Sequence, residues 1–261
     1  MARCPPSLRC IRLFRQLGDE EIRRLDAQCL WRRYEPKQQV LGHGDHGTDV
    51  FFVASGQVRA LIRTDGVRDV ILGDIGDGGF FGELAAIDSQ PRSASIVAMT
   101  GATLARMSAG LFRAIVREHA DVCGQLLTLL AARIRALDNR VSELATLDVR
   151  HRLFAELLRI SRPDGVTPGR ALVSPPPYHA EIAARISARR EAVTRELGAL
   201  ESAGLLERRR GALVLTDIQA LIALFRDPRG RTARRCARRP RCAKTHMAAA
   251  GGAPSSERVP S

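Results

Sequence analysis

Hydrophobic positions change rhythm three times along the chain. After a ragged start, residues 13–25 read as a helix with Asp19 as N-cap, acids in the first turn, and Ile22 and Leu25 on the buried face. From about residue 31 to 107 the apolar positions fall in short β-rich runs, 50–54, 57–62, 69–72, 94–98 and 103–107, broken by Gly and Asp. That spacing predicts an antiparallel sandwich or barrel, with Ser55-Gly56 as a hairpin turn. From 109 to about 145 helix formers continue without Pro, and Cys123, Leu127, Leu130, Ile134, Leu137, Val141 and Leu144 recur at alternating steps of four and three. This is a coiled-coil seam of about three heptads. A helix packed only on its own domain would tolerate a wider, less regular stripe, so the seam favours a parallel homodimer.

The third rhythm is one of short helices. A helix from 147 to about 160 precedes a Pro/Gly-rich span, 162–177, with one strand at 170–173. A helix at 179–186, a turn at 187–189 and a helix at 190–202 follow. Ile182 and Ile186 would face Val193, Leu197 and Leu200, which leaves Arg190, Glu191, Thr194 and Arg195 on the solvent side. That arrangement is a helix-turn-helix, and the basic hairpin at 204–215 is its wing. Arg suits guanine O6 and N7, and Glu can accept from cytosine N4. The competing reading pairs Glu191 with Arg195 as a helix ion pair worth a few tenths of a kcal/mol.

Charge and composition alter this picture in one place. The chain has 261 residues, enough for two cores, and a net charge of +13. Residues 226–261 hold ten Lys or Arg against two acids, so the strong basicity belongs to an Arg/Ala/Pro/Gly-rich tail expected to be disordered. No apolar run is long enough for a bilayer and the N-terminus lacks a signal-peptide core, which predicts a cytoplasmic protein without membrane contact. The six cysteines include no C-x-x-C pair and imply no disulfide framework. His43 and His46 in a Gly/Asp-rich turn are two histidines without a Cys or carboxylate set, and Cys236, Cys242 and His246 fit no metal spacing, so no metal is expected. Nor is any catalytic constellation present, which argues against an enzyme.

The stretch 78–95 carries the candidate chemistry. Gly78, Gly79 and Gly82 let backbone amides approach an anion, a helical turn opening near Gly82 aims further N–H groups at it, and Arg92 adds a planar fork for a phosphate. Glu83 discriminates. A carboxylate beside a phosphate site repels the ligand unless it accepts a hydrogen bond, for which a ribose 2'-hydroxyl is the natural donor. The combination points to a cyclic nucleotide.

The segment Phe81-Gly82-Glu83-Leu84-Ala85, a short loop, then Pro91-Arg92-Ser93-Ala94 resembles the phosphate-binding cassette of cyclic-nucleotide-binding domains. The Arg190-Glu191-x-Val193-x-Arg195 segment is similar to the recognition helix of the Crp/Fnr transcription regulators. The resemblance implies an α+β chain: an N-terminal antiparallel β-roll sensor (1–108), a long dimerisation helix (109–146), a C-terminal winged helix-turn-helix (147–226) and the basic tail (227–261). It also implies that Glu83 takes the ribose hydroxyl, while Arg92, Ser93 and the amides at Gly82, Leu84 and Ala85 take the cyclic phosphate. Arg190, Glu191 and Arg195 would read bases, flanked by Arg189 and Thr194. The implied partners are a cyclic nucleotide such as cyclic AMP, a second copy of the chain, a palindromic DNA operator and RNA polymerase.

Three departures bear on these expectations. Hydroxyl side chains that contact adenine in cyclic-AMP-binding members correspond to Leu137 and Asp138. Asp138 can accept from an adenine amino group and Leu137 cannot. The turn's usual Gly is Ser187, and its usual Ser or Thr cap is Arg189, which would cost about 1 kcal/mol of helix stability unless Arg189 serves as a phosphate contact. Cys4, Cys10, Cys29 and Cys123 loosely imitate the iron–sulfur ligands of oxygen-sensing relatives, at unfamiliar spacing. A regulatory subunit of a nucleotide-controlled enzyme is a third reading, against which the helix-turn-helix argues.

Overall fold

The computed structural model describes residues 6–64 and 68–226. The expected tail at 227–261, with Cys236, Cys242 and His246, lies outside the described residues, as does Cys4. The architecture is α+β, and its first half is built from strands β1 (Leu30–Tyr34), β2 (Gln39–Leu41), β3 (Val50–Ser55), β4 (Val58–Thr64), β5 (Arg68–Ile75), β6 (Phe80–Phe81), β7 (Ser95–Ala98) and β8 (Ala102–Met107). They form two antiparallel four-stranded sheets, in the orders β1-β8-β3-β6 and β2-β7-β4-β5. Strand β3 shows why. Its run Val50-Phe51-Phe52-Val53 is buried on both faces: Phe51 and Val53 enter the core between the sheets, while Val50 and Phe52 face a helical layer.

That layer is made of two 3-10 turns (Leu8–Cys10 and Arg12–Phe14), helices α1 (Asp19–Gln28) and α3 (Ala109–Glu118), and the start of α4 (Ala120–Thr146). Two expectations need correction. Asp19 is the first residue of α1, Gly18 is the cap, and Leu13 and Phe14 precede the helix in a 3-10 turn. The Asp19 carboxylate instead pairs with Arg9, which also donates to Leu17 O at 2.8 Å. The single helix expected over 109–145 breaks at His119, whose φ is −115° and ψ 99°. The break lets Phe112 and Ile115 of α3, and Val122 and Leu126 of α4, all reach the same core. Beyond Leu126 the seam positions Leu127, Ile134, Leu137, Val141 and Leu144 are exposed, an apolar stripe that nothing among the described residues covers.

The second half comprises α5 (Val149–Ile160), β9 (Arg162–Pro163), β10 (Ala171–Val173), α6 (His179–Arg185), α7 (Arg190–Ser202), β11 (Leu206–Arg209), β12 (Ala212–Leu215) and α8 (Ile218–Arg226). Its strands form one sheet in the order β11-β12-β10-β9. Leu153, Leu157, Ile182, Ile186, Val193, Leu197 and Leu200 share a core with Leu221 of α8, a helix the hydrophobic pattern had not indicated. Asp148 caps α5 by accepting from His151 N at 2.9 Å.

Candidate functional site

Between β6 and β7 lies helix α2 (Glu83–Asp88). Its N-cap is Gly82 at φ +84°. The left-handed backbone alone favours glycine here, and a Cβ would lie 2.6 Å from Arg92 Nη1 and 2.8 Å from Asp49 O. Arg92 is buried and clamped by two carbonyls, donating from Nη1 to Gly82 O at 2.9 Å and from Nη2 to Asp49 O at 2.7 Å. Its Nε is buried with no partner. Burial pulls the Arg92 guanidinium below its ordinary value, and Asp49, Asp45 and Glu83 push it back. A buried cation with a free N–H beside a glycine cradle and the unpaired first-turn amides of a helix is suited to an anion.

Glu83 opens α2 and is buried. Arg133 of α4 donates from Nη1 to Glu83 Oε1 and from Nη2 to Phe80 O at 2.8 Å, with its guanidinium carbon 4.8 Å from the centre of the Phe80 ring. Burial raises the Glu83 carboxyl above its ordinary value despite the opposing pull of Arg133. Ala85 is buried, while Leu84 and Ser93 are exposed. The turn 42–47 holding His43 and His46 is tied to the Arg92 backbone: Gly44 N donates to Arg92 O and Arg92 N to Asp45 O, both at 2.8 Å. Asp138 is exposed on α4, five residues past Arg133, and no hydrogen bond joins it to these residues.

The second cluster sits on α7. Arg189, Arg190, Glu191, Thr194 and Arg195 are all exposed, in accord with the expected solvent face. Arg195 approaches Glu196 at 3.6 Å, so the competing Glu191–Arg195 ion pair does not form. Thr194 Oγ1 is occupied internally, donating to Arg190 O at 3.0 Å and lying 2.8 Å from His179 Nδ1. Arg189 is the N-cap residue of α7 and makes no side-chain cap bond.

Comparisons with known proteins match both segments that hold these clusters. The cyclic nucleotide-binding domain family matches residues 31–119, and the Crp-like helix-turn-helix domain family matches 122–224. The cAMP-activated global transcriptional regulator Vfr of Pseudomonas aeruginosa is 32% identical over 193 residues, spanning 72% of this chain and 89% of its own. The chain belongs to the Crp/Fnr family of transcription regulators. Among solved structures, the c-di-GMP responsive global regulator CLP of Xanthomonas campestris is 26% identical with a TM-score of 0.66, covering 76% of this chain and 99% of its own. A CooA mutant of Carboxydothermus hydrogenoformans, 22% identical with a TM-score of 0.70 over 84% of this chain and 98% of its own, shares the fold.

Against the Crp/Fnr pattern, Ser187 sits at φ +51°, the left-handed conformation for which the family's glycine is suited. Two arginines hold that turn: Arg140 of α4 donates to Arg185 O at 2.6 Å and Arg152 of α5 to Ile186 O at 2.8 Å. Sequence reasoning missed Arg133 and Arg140. The signal available was an arginine recurring after seven residues within an apolar seam. The cysteines of the oxygen-sensor reading are dispersed in role. Cys10 is exposed, and Cys29 lies against the core with its thiol pushed up to about 12 by burial and then by Asp26. Among the described residues no cluster of His, Cys, Asp or Glu is placed to hold a metal ion, and no helix is long and apolar enough to cross a membrane.

Proposed function

We propose that this Crp/Fnr regulator is switched by a cyclic nucleotide bound at α2, with cyclic AMP the first candidate, and that it reads a palindromic operator as a homodimer. The observation carrying this reading is the buried Arg92 whose Nε lacks a partner, set beside the buried Glu83. In the proposed complex the cyclic phosphate accepts from Arg92, Ser93 and the amides at Gly82, Leu84 and Ala85. The ribose 2'-hydroxyl donates to Glu83, which Arg133 already orients. The exposed seam on α4 joins a second copy, and two-fold symmetry sets half-sites about 34 Å apart. Arg190, Glu191 and Arg195 supply base contacts, with Arg189 and Thr194 toward the backbone. Ligand acts only by favouring the DNA-competent state.

Asp138 stands apart from the pocket within one chain, so the base-recognition side favours a comparison ligand. Cyclic di-GMP is the natural one, since the Xanthomonas relative is a c-di-GMP responsive regulator.

The test is affinity for a duplex selected from random sequence by the full-length protein, with cyclic AMP, cyclic GMP and cyclic di-GMP in separate arms. Cyclic AMP should tighten binding roughly tenfold, within the usual span of allosteric coupling. Sequence-specific binding indifferent to all three ligands would remove ligand control. Binding without sequence preference would remove operator reading. Arg195→Ala should lose preference for the selected duplex and keep weak, salt-sensitive binding.

A further inference from the structure

A chain of ion pairs, in which Arg59 and Glu156 are buried, connects the β-roll to the helix-turn-helix. Arg59 of β4 and Asp74 of β5 are register partners, joined by a two-pronged bond at 2.6 and 3.1 Å. Arg59 also donates to Glu181 of α6 at 2.6 Å, and Arg185 of α6 donates back to Asp74. Arg185 reaches Glu156 of α5 at 3.6 Å, and Glu156 in turn pairs with Arg140 of α4 at 3.3 Å and with Arg159. Arg159 continues to Glu143 of α4 at 2.6 Å. Guanidinium forks match carboxylates in direction as well as charge, so such a chain restrains orientation and not only distance.

Its location gives the restraint a consequence. Helices α6 and α7 are packed together through the shared core of Ile182, Ile186, Val193 and Leu197. Fixing α6 on the β-roll therefore fixes α7. Strands β4 and β5 face the start of α7 across a cleft of about 630 Å³ lined by Arg63, Met99, Arg189, Arg190 and Glu191, whose side chains are exposed to solvent. Helix α4 is tied at both ends of the system. Arg133 grips Glu83 in the pocket, and Arg140, seven residues on and so about two turns along the same face, grips Glu156 and the carbonyl of Arg185.

We infer that Arg185 is a positioning residue for DNA binding: by joining Asp74 of the β-roll to Glu156 it sets the orientation in which α7 is presented to a two-site operator. This rests on the reading of α7 as the DNA-reading helix. A half-site needs one winged helix in any orientation, whereas a palindrome needs two at a fixed spacing, so the relay preorganises only the second kind of binding.

The test removes the Asp74 link from the β-roll side, leaving the winged helix untouched. In Asp74→Asn, Arg185 loses its carboxylate on the β-roll, and Glu181 is left as the one acid between Arg59 and Arg185. Affinity for a palindromic duplex relative to a half-site duplex should fall at least fivefold, with half-site and cyclic AMP affinities within twofold of wild type. Small-angle scattering of the free protein should show a larger maximum dimension. Arg185→Gln should reproduce the drop and Arg185→Lys recover part of it. An unchanged palindrome-to-half-site ratio with an unchanged scattering profile overturns the inference. If wild type itself prefers neither duplex over random DNA, the reading of α7 fails, and the scattering comparison alone decides the relay: an expanded Asp74→Asn supports it and an unchanged one ends it.

Discussion

Glu83 and Arg92 at the start of α2 are 3% and 4% exposed, and Arg59 and Glu156 in the interdomain relay are 8% and 1% exposed, yet the two regions differ in how many counter-charges surround each buried group. In the relay Arg59 finds two carboxylates and Glu156 has three guanidiniums within ion-pair distance, although its Oε1 makes no hydrogen bond. Burial pushes the Asp74 carboxyl up, but Arg59 and Arg185 more than offset this and hold it below its ordinary value. In the pocket Arg92 has a buried N–H with no partner, and Glu83 is raised above its ordinary value by burial that Arg133 does not fully offset. The Arg92 N–H beside the start of a helix leaves a donor for an anion, whereas guanidiniums gathered around carboxylates hold separate elements together.

The largest test of that contrast is Glu156→Ala, which takes a buried carboxylate from Arg140, Arg159 and Arg185 and leaves them Arg185 O, Glu143 and Asp74 as partners. It should cost about 1–3 kcal/mol in denaturant unfolding of the second half. Glu83→Gln should change the stability of the free protein by less than about 1 kcal/mol, because a neutral amide relieves a charge that burial disfavours. Its cost should appear in cyclic AMP affinity, about tenfold or more, the worth of a hydrogen bond to a charged acceptor. Equal stability losses in the two variants would erase the distinction between pocket and joint.

The two carboxyls also predict opposite pH behaviour. Asp74 has a lowered folded value, so its contribution is present above the ordinary 3.8 and is lost as pH falls through the folded value. Glu83 has a raised folded value, so stability declines as pH rises from the ordinary 4.5 through the folded value. Urea unfolding against pH should show the difference between wild type and Asp74→Asn shrinking in acid, and that between wild type and Glu83→Gln changing in the opposite direction. The smallest effect is expected at the turn beneath the joint. Ser187→Gly should stabilise by roughly 0.5 kcal/mol, the left-handed penalty less glycine's extra backbone entropy.

The clustering of Gly82, Glu83 and Arg92 was legible in the sequence and the joint was not. Gly82, Glu83 and Arg92 lie within one short segment whose residue types state their chemistry, and the apolar faces of α6 and α7 are local periodicities that any amphipathic helix shows. The joint is assembled from β4, β5, α4, α5 and α6, so each of its arginines reads in the sequence as an ordinary surface charge. Arg59 donates to Glu181 across 122 positions of chain, a pairing no local pattern encodes. The break at His119 was hidden for a related reason: helix propensity continues across it, and only the demand that two segments bury Phe112 and Val122 in one core bends the chain there.

The central claim is that Arg92 and its unpartnered N–H wait for a cyclic phosphate. Titration calorimetry of cyclic AMP into wild type and Arg92→Ala tests it most directly. Saturable binding to wild type, weakened at least about thirtyfold in Arg92→Ala as the loss of a buried charge-assisted bond requires, is the predicted result. Binding of equal strength to both proteins, or to neither, would contradict it.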